Sequence, residues 1–204
     1  GHGFIGGEGL EGLLADARDE GRLVGILNGC YYDGPKGRRP GWQRVLGMIA
    51  EQLAAWPDTE ANRIAARTLA TLPKRRPPFL LTSIGRLVRQ KATLFFEKTP
   101  RGVAAIDEIL EELGKKGVLI LLGSGEYLFE YKMLEAARRH NNLLFLRGYS
   151  EMLAEPLYRA GDLFLMPSSF EPCGISQMLA MRAAQPCVVH GVGGLKDTVR
   201  DGRS

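Results

Sequence analysis

Two stretches of the chain carry side chains suited to a negatively charged ligand. In SIGRLVRQK, residues 83–91, Arg86 and Lys91 follow an apolar run. Two cations on one loop suit a diphosphate, which needs its charge neutralised and several donors supplied; ordinary surface charges are the plain alternative. In PSSFEPCG, residues 167–174, Glu171 is the sole acid, and Cys173, Gly174, Ile175 and Ser176 follow it. A helix opening near Ile175 would offer an anion free N–H groups and a positive dipole end, with the Ser176 hydroxyl beside them. The same residues could serve only as helix capping. Glu171 itself could face a ligand, stay solvated, or pair with Arg86. Cys173 has no histidine beside it and reads as a small buried residue rather than a nucleophile. Tyr149, after Gly148, could stack on a base or pack at a rim. Gly123-Ser124-Gly125 is neither a GxGxxG fingerprint nor a P-loop. His190 reads as structural.

These residues share a setting. Apolar runs recur at 79–84 (FLLTSI), 117–122 (GVLILL), 143–147 (LLFLR), 162–166 (DLFLM) and 186–190 (PCVVH), with helix-period segments between them. Val103, Ile106, Ile109, Leu110 and Leu113 mark one such segment. Leu128, Tyr131, Leu134 and Ala137 mark another, and Ile175, Met178, Leu179 and Arg182 a third. Residues 151–160 read as a helix with Pro156 in its first turn, and 92–99 (ATLFFEKT) fit neither period. Continuous apolar strands alternating with helices predict an α/β fold, a doubly wound parallel sheet covered on both faces. In the Rossmann order 3-2-1-4-5 the switch point lies between the first and fourth strands, where ligands bind. The loops holding Arg86, Lys91 and Glu171 exit those two strands.

Upstream, a short helix is expected near 8–18, a strand at Leu23–Leu27 and a linker at 34–41. Helices follow at 45–56 and 59–72, the second with Asp58 as N-cap. The expected division is therefore a remnant of an upstream domain plus linker over 1–44, then a Rossmann-like domain over 45–204 with its N-terminal helices at 45–72. The chain opens on Gly1 and ends at Ser204 just past a glycine-rich turn, as expected of a piece of a longer protein.

Composition excludes several classes. The chain has 204 residues, 45% of them hydrophobic and 25% charged, which fits a folded globular protein. Its apolar runs are far shorter than the ~20 residues that cross a bilayer, and no signal peptide opens it. Three isolated cysteines and three scattered histidines support neither a disulfide framework nor a metal site. No cofactor is expected, and a reduced, cytoplasmic setting fits best. The 27 basic and 23 acidic residues leave a net charge of +4. The basic clusters at Lys36–Arg39 and Lys74–Arg76 read as solvated loops, because no aromatics interleave with them and no nucleic-acid motif appears. Neither nucleic acid nor a membrane is expected as partner.

Taken together, SIGRLVRQKA, LLGSGE, RGY, GDLFLMPSSFEPCGISQMLAMRAAQP and GVGGLKDTV closely resemble the C-terminal domain of bacterial glycogen synthases and plant starch synthases. The upstream EGLEGLLADARDEGRLVGILNG is similar to the segment by which that family leaves its N-terminal domain. The resemblance implies a GT-B fold, two Rossmann-like domains with the active site between them. It also implies retaining transfer of glucose from ADP-glucose or UDP-glucose to the non-reducing end of an α-1,4-glucan. By the matched motifs, Arg86 and Lys91 would bind the diphosphate and Glu171 the donor sugar. Backbone at Cys173, Gly174, Ile175 and Ser176 would cradle phosphate and sugar, and Tyr149 would lie against the base. Ala92 stands where the family has glycine, and 30–78 and 92–102 depart from its pattern. The acceptor would be held by the family's N-terminal domain. The alternatives are a nucleotide-sugar-binding or regulatory module without catalysis of its own, and a different GT-B enzyme such as a sugar-nucleotide epimerase, against which the FEPCG loop speaks.

Overall fold

The computed structural model describes residues 9–26, 28–31 and 38–202. Parts of the expected linker, Lys36 and Gly37 included, lie outside these. Helix α1 (Glu11–Asp19) forms as expected but buries nothing; Leu10, Leu13 and Leu14 remain exposed. The strand expected at Leu23–Leu27 does not form over 23–26, and Leu27 lies outside the described residues. A strand needs a partner edge, and among the described residues this segment has none: Val24 is 76% and Ile26 88% exposed.

From residue 42 the chain packs. Helix α2 (Trp42–Ala55) buries Trp42, Val45 and Ile49, and the Trp42 indole donates to the Pro73 carbonyl at 2.8 Å. Helix α3 (Glu60–Thr71) is capped by Thr59 rather than Asp58. Thr59 has the extended backbone that an N-cap needs, and its hydroxyl accepts the Asn62 N–H at 3.2 Å. Strand β1 (Phe79–Ile84) then opens a repeating strand–helix pattern. It continues as α4 (Arg89–Phe96), α5 (Ala105–Leu113), β2 (Gly117–Gly123), α6 (Tyr127–Arg139) and β3 (Leu143–Arg147). Then come α7 (Glu151–Ala160), β4 (Leu163–Met166), α8 (Ser176–Arg182), β5 (Cys187–Val189) and α9 (Gly194–Thr198).

The unassigned residues 92–99 largely belong to α4. Thr93, Phe95 and Phe96 look strand-like by type, yet Ala92 and Phe95 lie three apart and are both buried, so helical spacing wins. Pro156 is not in the first turn of α7 but sixth of its ten residues. There it deletes the bond that residue 156 would give to the Met152 carbonyl.

The strands form one parallel sheet in the expected order, β3-β2-β1-β4-β5. Alternate residues of β2 feed two separate cores. Val118, Ile120 and Leu122 pack with Trp42, Ile49, Leu153 and Leu157 on the α2–α7 side. Leu119 and Leu121 pack with Phe95, Ile106, Leu110 and Met133 on the α4–α5–α6 side. Burial on both faces is why β2 is apolar throughout, and why β1, β3 and β4 are largely so. Each such Leu or Ile contributes ~1.5–3 kcal/mol of transfer free energy.

At the N-terminal edge of the sheet, Asp162 ties the upstream segment down. Its carboxylate accepts from Arg39 at 2.6 Å, from Arg76 at 2.7 Å and from the Leu80 N–H at 2.8 Å. Both guanidinium groups also donate to the Ala160 carbonyl. One arginine from each basic cluster is therefore a tether, which corrects the expectation of solvated loops; Lys74 and Arg75 do remain exposed. Burial opposes the charge on Asp162, but Arg39 and Arg76 outweigh it and hold the carboxyl below its ordinary range.

Candidate functional site

At the opposite, C-terminal edge the loops leaving β1 and β4 meet. β1 ends at Ile84, Gly85 and Arg86 stand open to solvent, and Leu87 turns back into the core. This loop is zipped to the exit of β2: the Leu87 N–H donates to the Ser124 carbonyl at 2.9 Å and the Glu126 N–H to the Leu87 carbonyl at 2.8 Å. The contact is so close that a Cβ at Gly123 would lie 2.1 Å from the Gly85 oxygen, and one at Gly125 2.3 Å from that of Leu87. Only glycine fits either position, which is the physical content of the GSG motif.

Helix α4 starts at Arg89 and carries Lys91 in its first turn. Its ammonium lies 2.9 Å from Glu171 Oε2, with Glu171 only 5% exposed. The Ser168 hydroxyl donates to the same oxygen at 3.4 Å. The Gln90 carbonyl accepts three bonds from the β4 exit: Ser169 N–H at 2.8 Å, Ser169 hydroxyl at 3.0 Å and Phe170 N–H at 3.3 Å. The two loops that bracket the switch point are thus bonded to each other. From below, the His190 ring Nδ1 lies 3.1 Å from the Ser168 carbonyl, in keeping with the structural reading of His190.

The backbone after Glu171 is held from β5's side. The Gly194 N–H donates to the Glu171 carbonyl at 2.9 Å. Gly193, at φ +48°, passes so near that a Cβ would sit 2.1 Å from the Glu171 oxygen. Gln177, fully buried in α8, directs its amide nitrogen at the carbonyls of Cys173 and Gly174 and at the Thr198 hydroxyl, within 2.9–3.1 Å. Gly174 is buried at φ +75°, Cys173 is half-buried and Ile175 exposed. Ser176 opens α8 and faces the crevice. Burial holds the Tyr158 pKa above its ordinary value.

Between these walls lies a narrow cavity of about 30 Å³, lined by Arg86, Lys91, Ser168 and Ser176 among others. That space holds a water or two; anything larger must sit on its open side. Arg86 and Lys91 therefore line one crevice, and the nearly buried Glu171 stands behind its wall, paired with Lys91 rather than Arg86. The turn into α4 swings Lys91 inward and leaves Arg86 exposed, without an ion pair among the described residues. Tyr149, two residues past β3, is 66% exposed on the same edge. Burial pushes the Cys187 thiol up to about 12, which disfavours its thiolate. Among the described residues no cluster could hold a metal ion, and no helix is long and apolar enough to cross a membrane.

Ser168, Gln177 and Gly193 were not singled out by sequence reasoning. Gln177 alone left a signal, as a polar residue one position from the apolar stripe of its helix. The positions of Ser168 and Gly193 matter only through tertiary contact.

Residues 78–204 match the family model described as "Glycosyl transferases group 1". Curated relatives include a glycogen synthase of Hydrogenovibrio crunogenus, 36% identical over 94% of this chain, and one of Halorhodospira halophila, 38% identical over 96%. The chain spans 38% of the length of each. Among solved structures, the catalytic domain of starch synthase IV from Arabidopsis thaliana superposes with a TM-score of 0.64 at 27% identity, over 98% of this chain and 38% of that one. Anabaena HepE shares the fold at a TM-score of 0.57 and 19% identity, over 87% of this chain and 40% of that one.

Proposed function

The chain belongs to the glycosyl transferases group 1 family, and on that premise we propose that its sheet is the donor-binding half of a retaining glycosyltransferase. The enzyme would move glucose from ADP-glucose or UDP-glucose to the non-reducing end of an α-1,4-glucan. The observation that carries this reading is the crevice between β1 and β4, lined by Arg86 and by Lys91, whose ammonium is paired with Glu171. The starch synthase relative, solved with ADP and acarbose, lends support over nearly the whole chain.

The geometry suits the chemistry. When the bond from the anomeric carbon to the diphosphate oxygen breaks, its electron pair leaves with the nucleotide. Arg86 and Lys91 then face growing negative charge, where fixed cations act most strongly. Glu171, anchored by Lys91 and Ser168, meets the donor sugar's hydroxyls and offsets positive charge on the oxocarbenium-like ring. Backbone from Cys173 to Ser176 cradles phosphate and sugar, and Tyr149 lies against the base. The Gln177 and Gly194 bonds keep that backbone in place without spending its outward face.

Thermal denaturation of the chain with ADP and with UDP tests the reading. Ligand at ~100 times its dissociation constant adds ~2.7 kcal/mol, or ~5–10 °C in melting temperature at this size. Arg86→Ala is expected to remove most of the shift and Lys74→Ala none of it. No shift with either nucleotide at millimolar concentration overturns the reading.

A further inference from the structure

One buried charged cluster on the same edge of the sheet has no part in the site above. Glu130, in the first turn of α6, is 7% exposed, and its two oxygens serve two different loops. Oε1 accepts the Gly125 N–H at 2.8 Å. Oε2 accepts from Arg147 Nε and Nη2, both at 2.7 Å. Arg147 ends β3 and immediately precedes Gly148 and Tyr149. Gly125 bridges to Leu87, next to Arg86. A single carboxylate thus joins the exits of β2 and β3 directly and that of β1 at one remove.

Stability alone does not account for a charge here. The neighbouring helix positions Phe129 and Met133 are core residues, and replacing a buried ion pair by apolar side chains is often neutral or stabilising. What the pair does supply is direction. Arg147 forks onto Oε2 with two nitrogens, which fixes the end of β3 in angle as well as distance. On the other side the Trp56 ring closes over Gly148, where a Cβ would meet it at 2.9 Å. The Ser150 hydroxyl is bonded to Gln52 at 2.7 Å. The segment Arg147–Ser150 is held at both ends and from both faces.

We propose that Glu130 is a positioning residue for the donor site. It sets the spacing between the β3 exit, which carries Tyr149, and the β1–β2 exits, which carry Arg86. A nucleotide touches both ends, whereas inorganic pyrophosphate touches only the second. The inference rests on the donor-site reading, and the two halves of the carboxylate can be separated. Glu130→Gln keeps an oxygen for Gly125 and turns an amide toward Arg147; Glu130→Leu loses both bonds.

The test is isothermal titration of the chain and its variants with ADP, UDP and inorganic pyrophosphate. Glu130→Gln and Arg147→Met are each expected to weaken nucleotide binding about tenfold, with pyrophosphate affinity unchanged. The double variant is expected to be no worse than either single one, because all three break one bond. Glu130→Leu weakens nucleotide and pyrophosphate alike. Equal loss of both ligands in Glu130→Gln, additive losses in the double variant, or no loss at all overturns the proposal. Amide hydrogen exchange gives an arm independent of ligand. In Glu130→Leu, Gly125 and Gly148 are expected to exchange at least tenfold faster while Leu144 in β3 keeps its protection. Unchanged exchange at Gly125 and Gly148 overturns the positioning role even if the chain binds no nucleotide. Binding by no form of the chain, with the exchange result as expected, overturns the donor-site reading alone.

Discussion

The contact between Lys91 and Glu171 sets the state of the site before a ligand arrives. An ammonium 2.9 Å from a nearly buried carboxylate is already neutralised, so a diphosphate must compete for it. A charge-assisted hydrogen bond is worth ~1.5–3 kcal/mol, and the partial exposure of Lys91 reduces that. Glu171→Gln is therefore expected to bind ADP or UDP up to about tenfold more tightly, read by titration calorimetry. On the proposed reading, the same change in a protein that holds both halves is expected to lower turnover by far more, because the ring's positive charge would lose its counter-charge. Weaker nucleotide binding would mean that Glu171 places Lys91 rather than competing for it. The sequence made these residues legible as the charged members of two strand-exit loops. It did not reveal which cation Glu171 meets. That depends on α4 starting at Arg89, a boundary with no proline, glycine or capping side chain to announce it.

Among the elements, legibility followed periodicity. The strand runs of β1 to β4 and the helices over 105–113, 127–139 and 176–182 were visible because both faces of that part of the sheet are buried and each covering helix has one apolar stripe; the short β5, with Val188 exposed, was visible by its β-branched residues alone. The strand expected at 23–27 failed for the complementary reason, since an apolar run specifies only that a segment wants a partner. The Asp162 tether was invisible because its members lie 39, 76, 80 and 162 positions along the chain. Its effect is open to measurement. The folded pKa of Asp162 is lowered, so its stabilisation is complete above the unfolded value of about 3.9 and disappears as pH falls through the folded one. Asp162→Asn is expected to melt a few degrees below the parent at pH 7. The gap should close on acidification below about pH 3.9. A gap that does not narrow at all as pH falls below the unfolded value would place the loss elsewhere than in the charge.

At the scale of the whole molecule, the chain is a donor half on the reading given above, and it spans 38% of the curated relatives' length. The open side of the crevice and the uncovered apolar face of α1 are both consistent with further chain packing there. Glycosyl transfer needs the acceptor hydroxyl held near the anomeric carbon, and such positioning supplies ~7–11 kcal/mol of barrier reduction. It also needs water excluded by closure. Residues 1–204 are therefore expected to extend glycogen at no measurable rate with labelled ADP-glucose or UDP-glucose, whereas on the proposed reading a longer protein that adds the acceptor-binding half is expected to do so. Elongation by the chain alone at rates near the intact protein's would sink the two-domain reading and move the acceptor site to α2 and α3.

The glycine contacts between the β1 and β2 exits bear on how this site can be re-tailored. Gly123 and Gly125 leave no room between the two loops, so neither loop has a shape of its own; each is the mould of the other. A library that randomises residues 85–88 against a fixed Gly123–Glu126 segment samples only variants that fit the existing cast. One that varies 123–126 alone discards nearly everything it makes. Changing which nucleotide this edge is proposed to accept calls for paired diversity across both loops, so that one surface is inherited as a unit.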